Sequence, residues 1–259
     1  MLTFFDCEMG VGGTAFAYPA PKDAAALLSV MDHYMIESAL VYDRGAHESG
    51  VFDSFDFILD FCRAGDSSSR RRLIPTIPIL PPATGEQPPP DELVALCIEK
   101  GIRAVRACPA AHNFIFNTFS MGRLLAELEN HRMPVVCTWM NLQDHPWEHQ
   151  PAWRDLSEVA LAFPRLPIIV LYTGMLQGRR LFPLLEQCPN VLADLTCVSF
   201  QFLEDVVERF GSGRLVLASH FPTEDPGLYT TWVNYGGVPE HARLDIAGGN
   251  VRRLLECIT

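Results

Sequence analysis

The strongest constraint on the fold is an alternation that runs the length of the chain. Short apolar, β-prone runs at Leu2–Cys7, Ser38–Tyr42, Leu73–Ile79, Ile102–Cys108, Pro134–Thr138, Ile168–Tyr172, Val191–Leu195 and Leu215–Ala218 alternate with segments of helical spacing. The helical segments are Lys22–Met35, Phe52–Cys62, Asp91–Lys100, Met121–Asn130, Trp153–Phe163, Arg179–Cys188 and Leu203–Phe210, with two more near the end. Strands joined through helices pair in parallel by right-handed crossovers. Eight such units in 259 residues imply an α/β chain forming a single (β/α)8 TIM barrel, one domain over residues 1–259. An open doubly wound sheet is the rival, but no glycine-rich phosphate fingerprint opens a helix after the first strand.

Punctuation keeps the same phase. Gly101, Pro134, Pro167 and Asn190 each stand where a helix gives way to the next strand. The stretch PPATGEQPPP reads as a proline-rich loop with Asp91 as N-cap of the following helix, and RAGDSSSRRR as a polar connector. There is no internal repeat and no domain linker.

Composition limits the partners. With 31 Asp and Glu against 20 Lys and Arg, the net charge of −11 would repel a phosphate backbone, so a small molecule is expected and a nucleic acid is not. The eight cysteines are scattered through apolar runs without a CxxC pair; Cys7, Cys97, Cys137 and Cys197 read as reduced core residues. Neither a secretory leader nor an apolar run of membrane-spanning length is visible, which leads us to expect a soluble cytoplasmic protein without a membrane partner.

In such a barrel the chemistry belongs to the carboxyl ends of the strands. The residues there are Glu8, Asp43-Arg44, Pro78, Arg106, Thr138 with Trp139 and Asn141, Tyr172, Asp194 with Thr196, and Ser219-His220. This polar ring is richer than a scaffold needs.

Several runs carry a family likeness: GIRAVRACPA, LLAELENHRMPVVCTW, LAFPRLPIIVLYTG, LLEQCPNVLADLT, VVERFGSGRLVLASHFP and the closing IAGGNVRRLL. In this order and spacing the chain resembles the amidohydrolase-related metal-dependent hydrolases and decarboxylases, nearly end to end. The resemblance implies D-x-H-x-H on the first strand, where this chain has Asp6-Cys7-Glu8-Met9-Gly10. It also implies histidines where Thr138 and Tyr172 stand and an aspartate where His220 stands. Zinc or manganese needs at least three well-placed donors. Glu8 and His220 are two, and Asp194 is a third at the wrong angle. No cofactor is therefore expected, and a divalent zinc or manganese ion is the less favoured reading.

Closure of the barrel would make the first and eighth strands neighbours, so Glu8 and His220 are expected to meet and act as an acid–base pair. A structural salt bridge plugging the mouth is the other reading of that pair. Tyr172 and Asp194 complete the candidate catalytic set; a buried phenol bonded to a neighbouring strand, and a loop anchor or orienting group for His220, are their plainer roles. Arg106, Arg44, Trp139 and Asn141 are the candidate substrate contacts, Arg106 for a carboxylate. A mutual ion pair with Asp43 is the plainer reading of Arg44. Trp147, Trp153, His145 and His149 in the same loop suggest a lid or an oligomer contact, and Pro146 argues against a helical zinc pair. G-x-S-x-G is missing, and Ser219 beside His220 points to the opposite side of its strand. Two readings result. One is an amidohydrolase-like hydrolase or lyase acting on a small carboxylated or lactone-like substrate without the usual metal. The other is a catalytically silent barrel serving as a ligand-binding or assembly module. The resemblance adds a possible homodimer.

Overall fold

β-Branched and small apolar residues make up β-prone runs such as 135–137, 168–170 and 191–193, and these are buried on both faces, as parallel sheets covered by helices require. A computed structural model of the chain describes residues 2–13, 19–47, 51–65, 71–139, 151–173, 178–196 and 199–259. Seven strands, β1 Phe4–Val11, β2 Ile36–Asp43, β3 Leu73–Pro78, β4 Ala104–Ala107, β5 Val135–Cys137, β6 Ile168–Val170 and β7 Val191–Ala193, form one parallel sheet in sequence order. The eighth expected strand forms no ladder among the described residues. Residues 215–221 instead make isolated bridges, Leu215 to Ala193 and Phe221 to Met9. Val216 N–H donates to Ala193 O at 3.0 Å, Cys7 N–H to Leu217 O at 2.9 Å, and Gly10 N–H to Phe221 O at 2.7 Å. This segment therefore bonds to β7 on one side and β1 on the other, and the curled sheet meets itself there.

Two apolar layers follow from the strand period. Phe5, Cys7, Leu40, Ala104, Val136, Ile169, Leu192 and Val216 pack inside the barrel, while Phe4, Met9, Val41, Val105, Val135, Ile168 and Val191 pack outward against the helices. The helices are α1 Ala24–His33, α2 Val51–Arg63, α3 Pro90–Lys100, α4 Thr118–Asn130, α5 Trp153–Ala162, α6 Gly178–Gln187, α7 Phe200–Phe210, α8 Pro226–Tyr235, α9 Glu240–Leu244 and α10 Asn250–Glu256. Val251 and Leu255 of α10 join the inner layer and plug the amino-terminal end of the barrel.

The helix ends correct three sequence readings. Asp91 lies inside the first turn of α3, behind Pro89 and Pro90; there it favours the helix dipole rather than capping the helix. α4 and α7 each start three residues earlier than apolar spacing suggests. Asn117 and Ser199 supply their caps, accepting from Ser120 N–H at 3.0 Å and Phe202 N–H at 3.1 Å. Gly101 ends α3 with φ of 79°, a left-handed position that suits glycine. Of the cysteines described, six are buried thiols and Cys257 is exposed; Cys197 lies outside the described residues. No helix among the described residues is long and apolar enough to cross a membrane.

Candidate active site

A bulge in β1 sets the geometry of the site. Asp6 pairs with Ala39 but Met9 with Val41, so β1 spends one residue more than β2 over this stretch. The extra residue changes the facing of the strand: Phe5 and Cys7 pack inside the barrel, yet Met9 and Val11 pack outside. Bulges re-aim side chains in this way next to functional sites. Asp6 holds the seam, its Oδ1 accepting from Glu8 N–H and Ser219 N–H, each at 2.9 Å. Burial pushes the Asp6 carboxyl pKa up, against the lowering effect of the hydrogen bonds from Ser219 and Glu8.

Glu8 turns into the barrel and meets Arg106, not His220. Arg106 Nη2 donates to Glu8 Oε1 at 2.7 Å, and Nη1 lies 2.6 Å from Oε2. Arg106 shares a register layer with Val136, Ile169 and Leu192, so this ion pair sits deep in the interior, its residues 1 and 2 % exposed. The guanidinium lies 4.0 Å over the Tyr42 ring. Burial disfavours the charged Arg106, but the Glu8 charge more than offsets it, and the arginine pKa is raised overall. The expectation that Arg106 receives a substrate carboxylate is thus corrected: its fork already holds one. Arg44 is wholly buried alongside, while the Asp43 carboxylate accepts from Gly45 N–H at 2.9 Å.

The second polar cluster lies on the other side of the seam. His220 Nε2 is 2.8 Å from Asp194 Oδ2 and 2.6 Å from Thr196 Oγ1. Asp194 also accepts from Tyr172 N–H at 3.0 Å and Thr173 Oγ1–H at 3.3 Å, so it both anchors the β6 loop and orients His220. The Tyr172 ring lies against the imidazole at 3.8 Å, tilted by 39°, and the Tyr229 ring meets its edge at 5.6 Å. Both Tyr172 and His220 have left-handed φ, 54° and 56°, a conformation that costs non-glycine residues on the order of 1–3 kcal/mol and is held here by the surrounding bonds. Among the described residues His220 Nδ1 has no hydrogen-bond partner.

The electrostatics suit a protonated imidazole. Burial lowers the His220 pKa, but the hydrogen bond and charge of Asp194 outweigh it, and the net direction is upward. Burial likewise raises Asp194, and the bond and charge of His220 pull it below the ordinary carboxylate value. Burial drives the Tyr172 phenol well above its usual value, so it is no acid near neutral pH.

Other expectations divide. Trp139 is a core residue, edge-on to Phe116 at 6.1 Å. Asn141, His145, Trp147 and His149 lie outside the described residues, and Trp153 begins α5. Tyr42 and Tyr229, which frame the two charged clusters, went unread in the sequence. Tyr42 sits at a strand's carboxyl end and could have been found there; Tyr229 lies mid-helix and carries no local signal.

A divalent ion fits this arrangement poorly. Glu8 is held by a guanidinium and His220 Nε2 by a carboxylate, and no group of three His, Cys, Asp or Glu among the described residues could hold a metal. Two buried guanidinium groups, Arg44 and Arg106, crowd the end of β1 where such an ion would need ligands.

A parallel barrel with its polar residues gathered at the strands' carboxyl ends is the framework of a large class of hydrolases and lyases. The chain belongs to the Amidohydrolase family, whose model matches residues 69–256. No curated protein matches the sequence. Among solved structures it is similar to 5-carboxyvanillate decarboxylase from Sphingomonas paucimobilis, with a TM-score of 0.74 and 12% identity over 100% of both chains. It is also similar to a dihydroxybenzoic acid decarboxylase from Polaromonas, solved with manganese and 2-nitroresorcinol bound (TM-score 0.70, 14% identity, 99% of this chain and 97% of that one). A third is 4-oxalomesaconate hydratase from Rhodopseudomonas palustris (TM-score 0.71, 10% identity, 98% and 96%). At these identities the likeness establishes the fold. Family and neighbours together point to an enzyme.

Proposed function

We propose that this protein is a hydrolase or lyase acting on a small carboxylated or lactone-like substrate, with His220 as its acid–base group. The observation that carries this is the buried Asp194–His220 pair, in which one ring nitrogen is held by the carboxylate and Nδ1 has no hydrogen-bond partner among the described residues. An imidazole oriented through one nitrogen presents the other for proton transfer. With its pKa raised, His220 carries a proton into the neutral range. Nδ1 can give it to a carbon losing a carboxyl group or to a leaving oxygen. Decarboxylases and a hydratase of carboxylated compounds among the structural neighbours support this substrate class. We propose further that the reaction needs no divalent ion, because fixed guanidinium charge occupies its place, and that the protein works in a reducing cytoplasm, to which its free thiols are suited.

The test is turnover of aromatic and unsaturated carboxylates by chelator-treated protein, alongside elemental analysis and the His220→Asn variant. Turnover that survives chelation and vanishes in the variant is expected. A stoichiometric metal whose removal abolishes turnover would defeat the metal-free part. The commitment of Glu8 to Arg106 favours the silent-barrel reading to this extent: one of the two groups expected to do chemistry is structural. Absence of both turnover and ligand-induced melting shifts across the panel would establish that second reading.

A further inference from the structure

The amino-terminal end of the barrel, opposite the polar clusters around Glu8 and His220, opens into a cavity of about 460 Å³. That is the size of a small-molecule site. Arg132 before β5, Arg165 before β6 and Arg253 on α10 line it, and it runs past Pro167 and Leu254 down to Leu192 of the inner layer. Among the described residues, three arginines and no Asp or Glu line this cavity, in a chain with 31 acidic residues against 20 Lys and Arg.

Two of the three guanidinium groups are available to a ligand. Arg253 is committed, with Asp245 Oδ1 at 2.8 Å and a further bond donated to Asn250 Oδ1. Arg165 Nη2 stands 3.8 Å from Glu129 Oε2, outside hydrogen-bond range, and its side chain is 62 % exposed. Arg132 is exposed, and its side chain makes no hydrogen bond or ion pair among the described residues. The acids nearby have other partners: Glu127 lies 3.3 Å from His131, Glu129 accepts from Arg165 N–H at 2.9 Å, and Asp245 accepts from Ser212 Oγ–H at 2.6 Å.

Arg132 is also kept against a backbone preference. It follows α4 with φ of 50°, and Arg132 N–H and Met133 N–H close the helix end onto Glu129 O and Leu128 O at 3.0 and 2.9 Å. This is the left-handed position after a helix that favours glycine, as Gly101 shows after α3. The helix end needs no side chain there; arginine sets a cation on the cavity wall at a conformational cost.

We propose that this cavity binds a small organic dicarboxylate, with one carboxylate on Arg132, the other on Arg165, and the hydrocarbon body against Pro167, Leu192 and Leu254. A guanidinium fork matches a carboxylate, and the apolar residues favour an organic body over an inorganic anion. The site is separate from the Asp194–His220 pair and does not depend on the function proposed for it.

The test uses the full chain and Cys257, an exposed thiol on the cavity wall, whose alkylation by iodoacetamide is followed by peptide mass. Protection of this thiol reports occupancy of this cavity and not of the His220 site. The probes are isophthalate, its neutral diamide isophthalamide, and inorganic phosphate. Isophthalate at about ten times its Kd should slow the alkylation about tenfold, and the other two should protect at least about tenfold more weakly. Arg132→Gly suits the left-handed backbone, so its melting temperature should hold or rise while isophthalate protects about tenfold more weakly. A merely structural Arg132 would do the reverse, losing stability and keeping affinity. Arg165→Gln should weaken protection by a similar factor, and decides the matter if the glycine variant fails to fold. The proposal is overturned if isophthalate leaves Cys257 unprotected, if protection is unchanged in either variant that folds, or if isophthalamide or phosphate protects equally well.

Discussion

Replacing Glu8 with Gln removes one charge from the buried Glu8–Arg106 ion pair inside the barrel. With contacts of 2.7 and 2.6 Å, the two charge centres attract by about 4 kcal/mol at an effective dielectric constant of 20 and about 4 Å separation. Desolvation consumes much of that gain, so the pair adds little net stability over an apolar core. Breaking it is another matter, because Arg106 is left charged and buried, which costs about 3–5 kcal/mol. Glutamine keeps one carbonyl oxygen to accept from Nη2, which places the loss near the lower limit, about 3 kcal/mol. In a chain of this size each kcal/mol moves the melting temperature by about 2–4 °C, so a fall of about 6–12 °C is expected by calorimetry, with a matching drop in the urea midpoint. Glu8→Leu combined with Arg106→Met should recover most of it, since apolar residues of similar volume often replace such a pair at no cost. A Glu8→Gln protein that melts within about 2 °C of the parent, or a double variant that shows the sum of both single losses, would refute this reading of the pair.

Three further outcomes are expected. The raised pKa of His220 means that its stabilisation is complete below its ordinary value of 6.5 and is lost as pH rises through the raised value. Urea denaturation between pH 6 and 9 should show that decline in the parent and not in His220→Asn; identical profiles would count against the Asp194 pairing. Asp194→Asn removes the charge that holds the imidazolium, so the alkaline limb of the pH–rate profile should move to lower pH, and an unmoved limb would remove His220 as the acid. Asp6→Ala deletes the acceptor of two backbone N–H groups at the seam and is expected to cost about 2–4 kcal/mol after relief of its buried charge, whereas Asp6→Asn, retaining one acceptor oxygen, should cost less; equal losses would show that the charge and not the bonding matters.

The residues that reached the site were legible because a barrel strand's carboxyl end can be read from where an apolar run stops. Glu8, Arg44, Arg106, Asp194 and His220 were all identified that way, and all are buried there. Their partners were not legible. Position 8 was expected to face position 220 because adjacent strands are close, but adjacency does not fix facing. The additional residue between Asp6 and Met9 turns Glu8 toward Arg106 on β4, three strands along the sheet order, and leaves the eighth segment's histidine to its other neighbour, Asp194 of the loop after β7.

By itself the sequence determined the order of the strand and helix units, the parallel sheet that follows from their alternation, and the family likeness, because periodicity and punctuation are local properties of a chain. Only the tertiary structure decided which charges neutralise each other. That depends on a one-residue bulge and on contacts between side chains tens of residues apart, such as Arg106 on Glu8 and His220 on Asp194. Their energies are set by burial, which no local pattern records.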